Sequence, residues 1–236
     1  MSLNHNSSDQ FAQMKKNTVD AKGQLRANQF VTFHNAAGRG PRVMFVGNSI
    51  TLHAPKPEIG WYGNFGMAAS EEEKDYVHLL EKRVKAVHPD AAFCICQVAS
   101  WERGYRNDAE TLSQWSQARD FAADIIVFRF IENCTAREHD AKVFYESLCR
   151  FAQYLDGSGC AKQIVTTGFW KHPGDAELRR YATERDLPLV ELGELGEDDA
   201  MKAIGLFEHH GVANHPGDAG MNAIAERIGA VLGQYL

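Results

Sequence analysis

Residues 42–51 run Arg42-Val43-Met44-Phe45-Val46-Gly47-Asn48-Ser49-Ile50-Thr51. Four consecutive apolar residues without polar alternation describe a strand covered on both faces. Gly47 ends the run. A glycine there lets the chain turn sharply, through backbone conformations closed to other residues. Ser49 then projects at the mouth of the strand.

The same grammar repeats along the chain. Ala92 to Val98, Asp124 to Phe128, Ile164 to Thr167 and Pro188 to Val190 are further short apolar strands. Amphipathic helices separate them. Ser70-Glu71-Glu72-Glu73 has the form of a capping box, and Tyr76, Leu79, Leu80, Val84 and Val87 mark one face of the helix after it. Residues 109–120 form a second helix, with Leu112, Trp115 and Ala118 inward. Val143, Phe144, Leu148, Phe151 and Leu155 mark another, stopped by Gly157 and Gly159. Met221, Ile224, Ala225, Ile228, Val231, Leu232 and Tyr235 line the last. Five strands alternating with helices predict an α/β fold, a three-layer α/β/α sandwich around a five-stranded parallel sheet. Residues 1–40 read as an N-terminal extension, polar and weakly periodic to about residue 30, and 41–236 as one domain. Ligands in such sheets bind beyond the carboxyl ends of the strands, so every loop that follows a strand is a candidate for the site.

Bulk properties remove several function classes. The 236 residues carry a formal net charge of -6. That gives no general attraction to nucleic acid or to an anionic membrane, and neither is expected as a partner. Cys94, Cys96, Cys134, Cys149 and Cys160 are odd in number and match no zinc spacing, so they read as reduced structural thiols. Reduced cysteines and the lack of an apolar leader favour a cytoplasmic setting. Glu208-His209-His210 lacks a third ligand at helical spacing, and neither a metal nor a cofactor is expected.

Three residues carry the chemistry. A serine hydroxyl is a weak nucleophile at neutral pH and needs a base. His215, in Asn214-His215-Pro216-Gly217, precedes the last helix and overlooks the same end of the sheet. His172, after the fourth strand beside Trp170, is the back-up base. Asn133 follows the third strand, where its amide can donate to an oxyanion. The ordinary alternatives are that Ser49 and Asn133 cap turns. Trp61, Tyr62 and Phe65, in the glycine-rich loop after Ser49, read either as a sugar- or acyl-binding wall or as packing. Trp101, Glu102 and Arg103, after the second strand, read as cleft residues that contact substrate or pair at its rim.

Gly47-Asn48-Ser49-Ile50-Thr51, Asn133 after the third strand, and His215-Pro216 with Gly220 together resemble the blocks of the SGNH/GDSL serine hydrolases, in their order, over residues 42–236. The resemblance implies a flavodoxin-like fold, Ser49 as nucleophile, His215 as base and acid, and Asn133 and the Ser49 N–H as oxyanion donors. The family's glycine donor follows the second strand, where Gly104 is the glycine present. Its usual acid stands three residues before the histidine, where this chain has Val212. His215 is then oriented by a backbone carbonyl or by Glu208, or activity is degraded. The implied function is ester hydrolysis through an acyl-serine, on short acyl (O-acetyl) esters of small molecules or carbohydrates. The alternative is a catalytically impaired carbohydrate-binding protein on the same scaffold. A flavin or nucleotide binder is a third reading, disfavoured because no phosphate-cradling glycine loop follows the first strand.

Overall fold

The computed structural model describes residues 30–236. Residues 1–29 of the expected extension lie outside them. Six strands form one sheet: β1 (Val31–His34), β2 (Arg42–Gly47), β3 (Ala92–Gln97), β4 (Ile125–Arg129), β5 (Lys162–Thr166) and β6 (Leu189–Val190). Their order is β1-β3-β2-β4-β5-β6. The five expected strands pair in parallel, and β1 adds antiparallel to the edge of β3.

β1 is the departure from the sequence reading, which placed residues 31–34 in an extension. It is a four-residue edge strand with Val31 buried and the rest half-buried. Edge strands need no continuous apolar run. The β-branched and aromatic composition of Val31-Thr32-Phe33 was the available signal.

Both faces of the sheet are covered. Val43, Phe45, Phe93, Ile95 and Val127 point to one face. There they meet α1 (Tyr76–Val87) and the last helix, Asp218–Leu232. Met44, Val46, Cys94, Cys96, Ile126 and Phe128 point to the other, toward helices Ala141–Leu155 and Asp175–Glu184. That two-sided burial is why the strands read as unbroken apolar runs. All five cysteines are free.

Two helix expectations change. The capping box does not form. Ser70 turns instead to Asp218, its N–H donating to Oδ1 at 2.8 Å and its hydroxyl to Oδ2 at 2.7 Å. Helix α1 starts five residues later, capped by Asp75, which accepts from the His78 N–H at 2.8 Å. Residues 109–120 are not one helix. They resolve into short 3-10 turns and α3 (Ser116–Asp120), which follows α2 (Ala99–Gly104). Trp115 and Ala118 are buried as expected. The remaining helices are α4 (Ala141–Leu155), α5 (Asp175–Glu184), α6 (His210–Ala213) and α7 (Asp218–Leu232).

Register places the site. Gly47 pairs with Gln97 of β3 on one side and with Arg129 of β4 on the other. Segments 48–51, 98–104 and 130–134 therefore leave the sheet side by side. The chain order reverses across β2, which makes this the crevice where open α/β sheets bind ligands.

Candidate active site

Gly47 lets the serine turn form, for a reason the sequence reading did not give. Its φ is not in the left-handed region. A Cβ there would lie 1.8 Å from Thr51 Oγ1 and 2.6 Å from the Arg129 carbonyl. The requirement is space. The Asn48 carbonyl accepts from the N–H groups of Thr51 and Leu52, both at 2.9 Å, and closes the turn. Ser49 is left half-buried at its crest.

Ser49 Oγ lies 2.8 Å from His215 Nε2, across 166 residues of sequence. His215 Nδ1 lies 2.6 Å from the Gly211 carbonyl oxygen. A carbonyl can only accept, so Nδ1 carries the proton and Nε2 presents a lone pair to the Ser49 hydroxyl. The group behind the imidazole is thus the Gly211 carbonyl, not Glu208. Val212, at the position where an acid was sought, is buried in the core. Burial lowers the His215 pKa to about 4, against the opposite pull of the Gly211 carbonyl. At neutral pH the ring is uncharged and able to take a proton. The Trp170 ring stands edge-on to it, with centroids 5.7 Å apart.

Asn133 is held on two sides. Its Nδ2 donates to Glu102 Oε2 at 2.8 Å, and its Oδ1 accepts from Arg103 Nη1 at 3.1 Å. Asn48 is held more tightly still. Its Nδ2 donates to Glu102 Oε1 at 3.0 Å and to Glu132 Oε2 at 2.5 Å, and its Oδ1 accepts from Arg129 Nη2 at 2.7 Å. Arg129 is fully buried and forks onto both oxygens of Glu132, at 2.9 and 2.7 Å. The guanidinium thus serves Glu132, and Glu102 is linked to it only through the Asn48 amide. Burial raises Glu132, but Arg129, the Phe169 N–H and the Asn48 amide together outweigh it and hold the carboxyl below the usual carboxylate range. Burial, with the charge of Glu132, pushes Glu102 up to about 6.

Several expected substrate contacts lie elsewhere. Trp61, Trp101 and Glu102 are each 0 % exposed, so none presents a surface to a ligand in this structure. Trp61 stands edge-on to Phe65 at 5.1 Å and donates from Nε1 to the His53 carbonyl at 3.1 Å. The glycine-rich loop is thus packed by its aromatics. Trp101 stacks on Phe151 at 4.4 Å, under α2. Glu102 belongs to the buried network, where its neighbours are polar; the loop position alone had suggested a rim. Arg103 is exposed and stays at the cleft. Gly104 closes α2 at its far end, with open space where a Cβ would lie. His172 is occupied structurally. Its Nε2–H donates to the Cys134 carbonyl at 3.0 Å and its Nδ1 accepts from the Gly174 N–H at 3.0 Å. Among the described residues, no cluster of His, Cys, Asp or Glu is arranged to hold a metal ion. Nor is any helix long and apolar enough to cross a membrane.

The sequence reading missed Asn48, Arg129, Glu132, Gly211 and Trp170. Arg129 and Glu132 flank the end of an apolar strand next to Asn133. Paired charges at that point were the visible signal. Ile131, between them, has φ 136°, a strained value for a β-branched residue, and its N–H donates to Glu102 Oε1 at 2.6 Å.

Solved structures share this architecture. One is a two-domain esterase active on acetylated mannans, 21% identical with a TM-score of 0.53 over 85% of this chain. This chain spans about half (50%) of that one. A family two carbohydrate esterase from Cellvibrio japonicus is 17% identical with a TM-score of 0.55, covering 84% of this chain and 62% of its own. The TesA structure is 16% identical with a TM-score of 0.52, covering 83% and 99%. The chain has the SGNH hydrolase fold. No family model matches the sequence, and no curated protein matches it significantly. Within the SGNH fold, the serine turn after β2 and the Asn133 loop after β4 leave the carboxyl ends of the central strands, and the His215 loop before α7 reaches Ser49 there.

Proposed function

We propose that this chain is a serine ester hydrolase working through an acyl-Ser49 intermediate on short acyl esters, O-acetyl groups of carbohydrates foremost. The 2.8 Å contact between Ser49 Oγ and His215 Nε2 carries the reading. His215 takes the Ser49 proton as Oγ attacks the ester carbonyl. The oxyanion is met by the Asn133 amide and the Ser49 N–H. Protonated Nε2 then gives its proton to the leaving alcohol. In the second half, His215 deprotonates water, which attacks the acyl-enzyme and frees the acid and Ser49. The Gly211 carbonyl keeps the tautomer correct and faces the imidazolium with a dipole where other serine hydrolases place a carboxylate.

Two observations favour a short acyl group on a sugar. Trp61 and Phe65 pack the loop after Ser49 into the core, so neither ring is presented to a long acyl chain. Trp170, half-buried against His215, offers an aromatic face to a sugar ring. The esterase active on acetylated mannans and the carbohydrate esterase of this fold point the same way.

Hydrolysis of p-nitrophenyl acetate and acetate release from acetylated mannan test this. Ser49→Ala should lower the first by at least about 10³-fold. Equal rates for wild type and variant would sink the mechanism. Glycan binding without fluorophosphonate labelling of Ser49 would instead mark a scaffold that binds and does not cleave.

A further inference from the structure

Glu102 is fully buried, and four N–H donors converge on its carboxyl. They are Asn48 Nδ2 at 3.0 Å, the Ile131 N–H at 2.6 Å and the Asn133 N–H at 3.3 Å on Oε1, with Asn133 Nδ2 at 2.8 Å on Oε2. A carboxylate accepts at every lone pair and donates nothing, so it matches four donors where an amide cannot. The guanidinium of the network goes to Glu132, not to Glu102. A buried carboxylate without its own cation is costly to keep. Apolar packing would have been cheaper had the position served stability alone.

Its partners explain the arrangement. Asn133 has one Nδ2–H committed to Glu102 and its Oδ1 engaged by Arg103. The amide cannot flip without setting N–H against N–H, and its second Nδ2–H remains available. Asn48 immediately precedes Ser49, and its carbonyl closes the serine turn. One carboxylate thus ties the turn of the nucleophile to the loop of the amide, and it braces the strained Ile131 backbone between them.

We infer that Glu102 is a positioning residue for the reaction, its buried carboxylate fixing the Asn133 amide and the Asn48 side chain so that both sides of the oxyanion site are set before substrate arrives. This rests on the ester-hydrolase reading above. Glu102 touches no reacting atom and acts through Asn133 and Asn48.

Glu102→Gln tests it, because the amide keeps the shape and presents N–H to a donor. Turnover of p-nitrophenyl acetate is expressed per fluorophosphonate-labelled Ser49, so misfolded protein does not count. The expected result is a kcat loss on the order of 10²-fold, as for a misplaced oxyanion donor, with KM within about twofold of wild type. In an Asn133→Ala background the same change should cost several-fold less than in wild type, the remainder being what Glu102 does through Asn48, because coupled groups are not additive. A kcat within about threefold of wild type, or an equal loss in both backgrounds, overturns the inference. Should Glu102→Gln not fold, Glu102→Asp, which keeps the charge but withdraws the carboxyl from Asn133, carries the test. There a kcat loss of about fivefold at unchanged KM, smaller in the Asn133→Ala background, supports it, and unchanged kcat overturns it. Activity independent of Ser49 would refute the ester-hydrolase reading itself. Ser49-dependent activity that ignores Glu102 would refute only this inference.

Discussion

A methyl group on Gly47 would meet Thr51 Oγ1 at 1.8 Å and the Arg129 carbonyl at 2.6 Å. Neither can retreat easily, since Thr51 is buried and hydrogen-bonded to Tyr76 and Arg129 belongs to the sheet. Gly47→Ala should destabilise the fold by about 1–3 kcal/mol. It should also displace Ser49, so esterase activity should fall further than the loss of folded protein explains. Thermal melts beside kcat measurements separate the two effects. His215 sets the acid limit. It must be neutral to take the Ser49 proton, so its own limb in kcat/KM falls as pH drops through about 4, below an earlier step near 6 where Glu102 protonates and loses its hold on Asn133. The sign for stability follows from the His215 shift. Burial lowers the folded-state pKa below the ordinary 6.5. Between those values the unfolded chain binds the proton and the folded chain does not, so stability falls as pH falls from 6.5 toward about 4. A pH profile of kcat/KM with its acid limb above 6 would contradict a neutral buried base. The need for a base and a nucleophile was legible from Ser49 and His215. The group behind His215 was not, because a backbone carbonyl four residues back has no residue-type signature.

Among the elements, α1 and the glycine-rich loop before it hang on one side chain. Asp75 is 0 % exposed. It accepts from the Gly66 N–H at 2.8 Å, from the His78 N–H at 2.8 Å and from His78 Nδ1 at 2.8 Å. Asp75→Ala removes a helix cap and strands a buried donor at Gly66. The combined cost should be about 2–4 kcal/mol. It should appear in urea unfolding as a lower midpoint at unchanged slope. Met67 in the same loop donates to the Ser49 carbonyl at 2.8 Å, so kcat/KM should fall as well. The sequence placed this helix within a few residues but chose the wrong cap. Ser70 and Glu73 fit a capping box by spacing, yet Asp218, 148 residues away, takes Ser70. Local pattern cannot weigh a partner so distant.

For the molecule as a whole, β1 covers the open edge of β3, whose residues Ala92 to Cys96 are all buried. A chain beginning at Asn35 would leave that apolar edge unpaired, a template for association with other chains. Size-exclusion chromatography should then show oligomers or aggregate where the full chain elutes at smaller size. An unchanged elution profile would mean that β3 needs no cover. The site itself is a property of this scale, since Ser49, Asn133 and His215 come from three loops brought together by strand order.

By itself the sequence determined the layered α/β fold, because strands buried on both faces must read as apolar runs, and it marked the serine and amide by where those runs stop and the histidine by its place before the last helix. Only the tertiary structure decided what surrounds them. Trp61, Trp101 and Glu102 sit in segments that follow strands and that pattern reading assigns to a cleft, and packing put all three inside. Glu102 and Glu132 became a buried pair with one guanidinium because β4 pairs with β2 in a register that sets Arg129 beside Gly47. Burial and hydrogen-bond partners at long range are sums over the whole fold. No local spacing contains them.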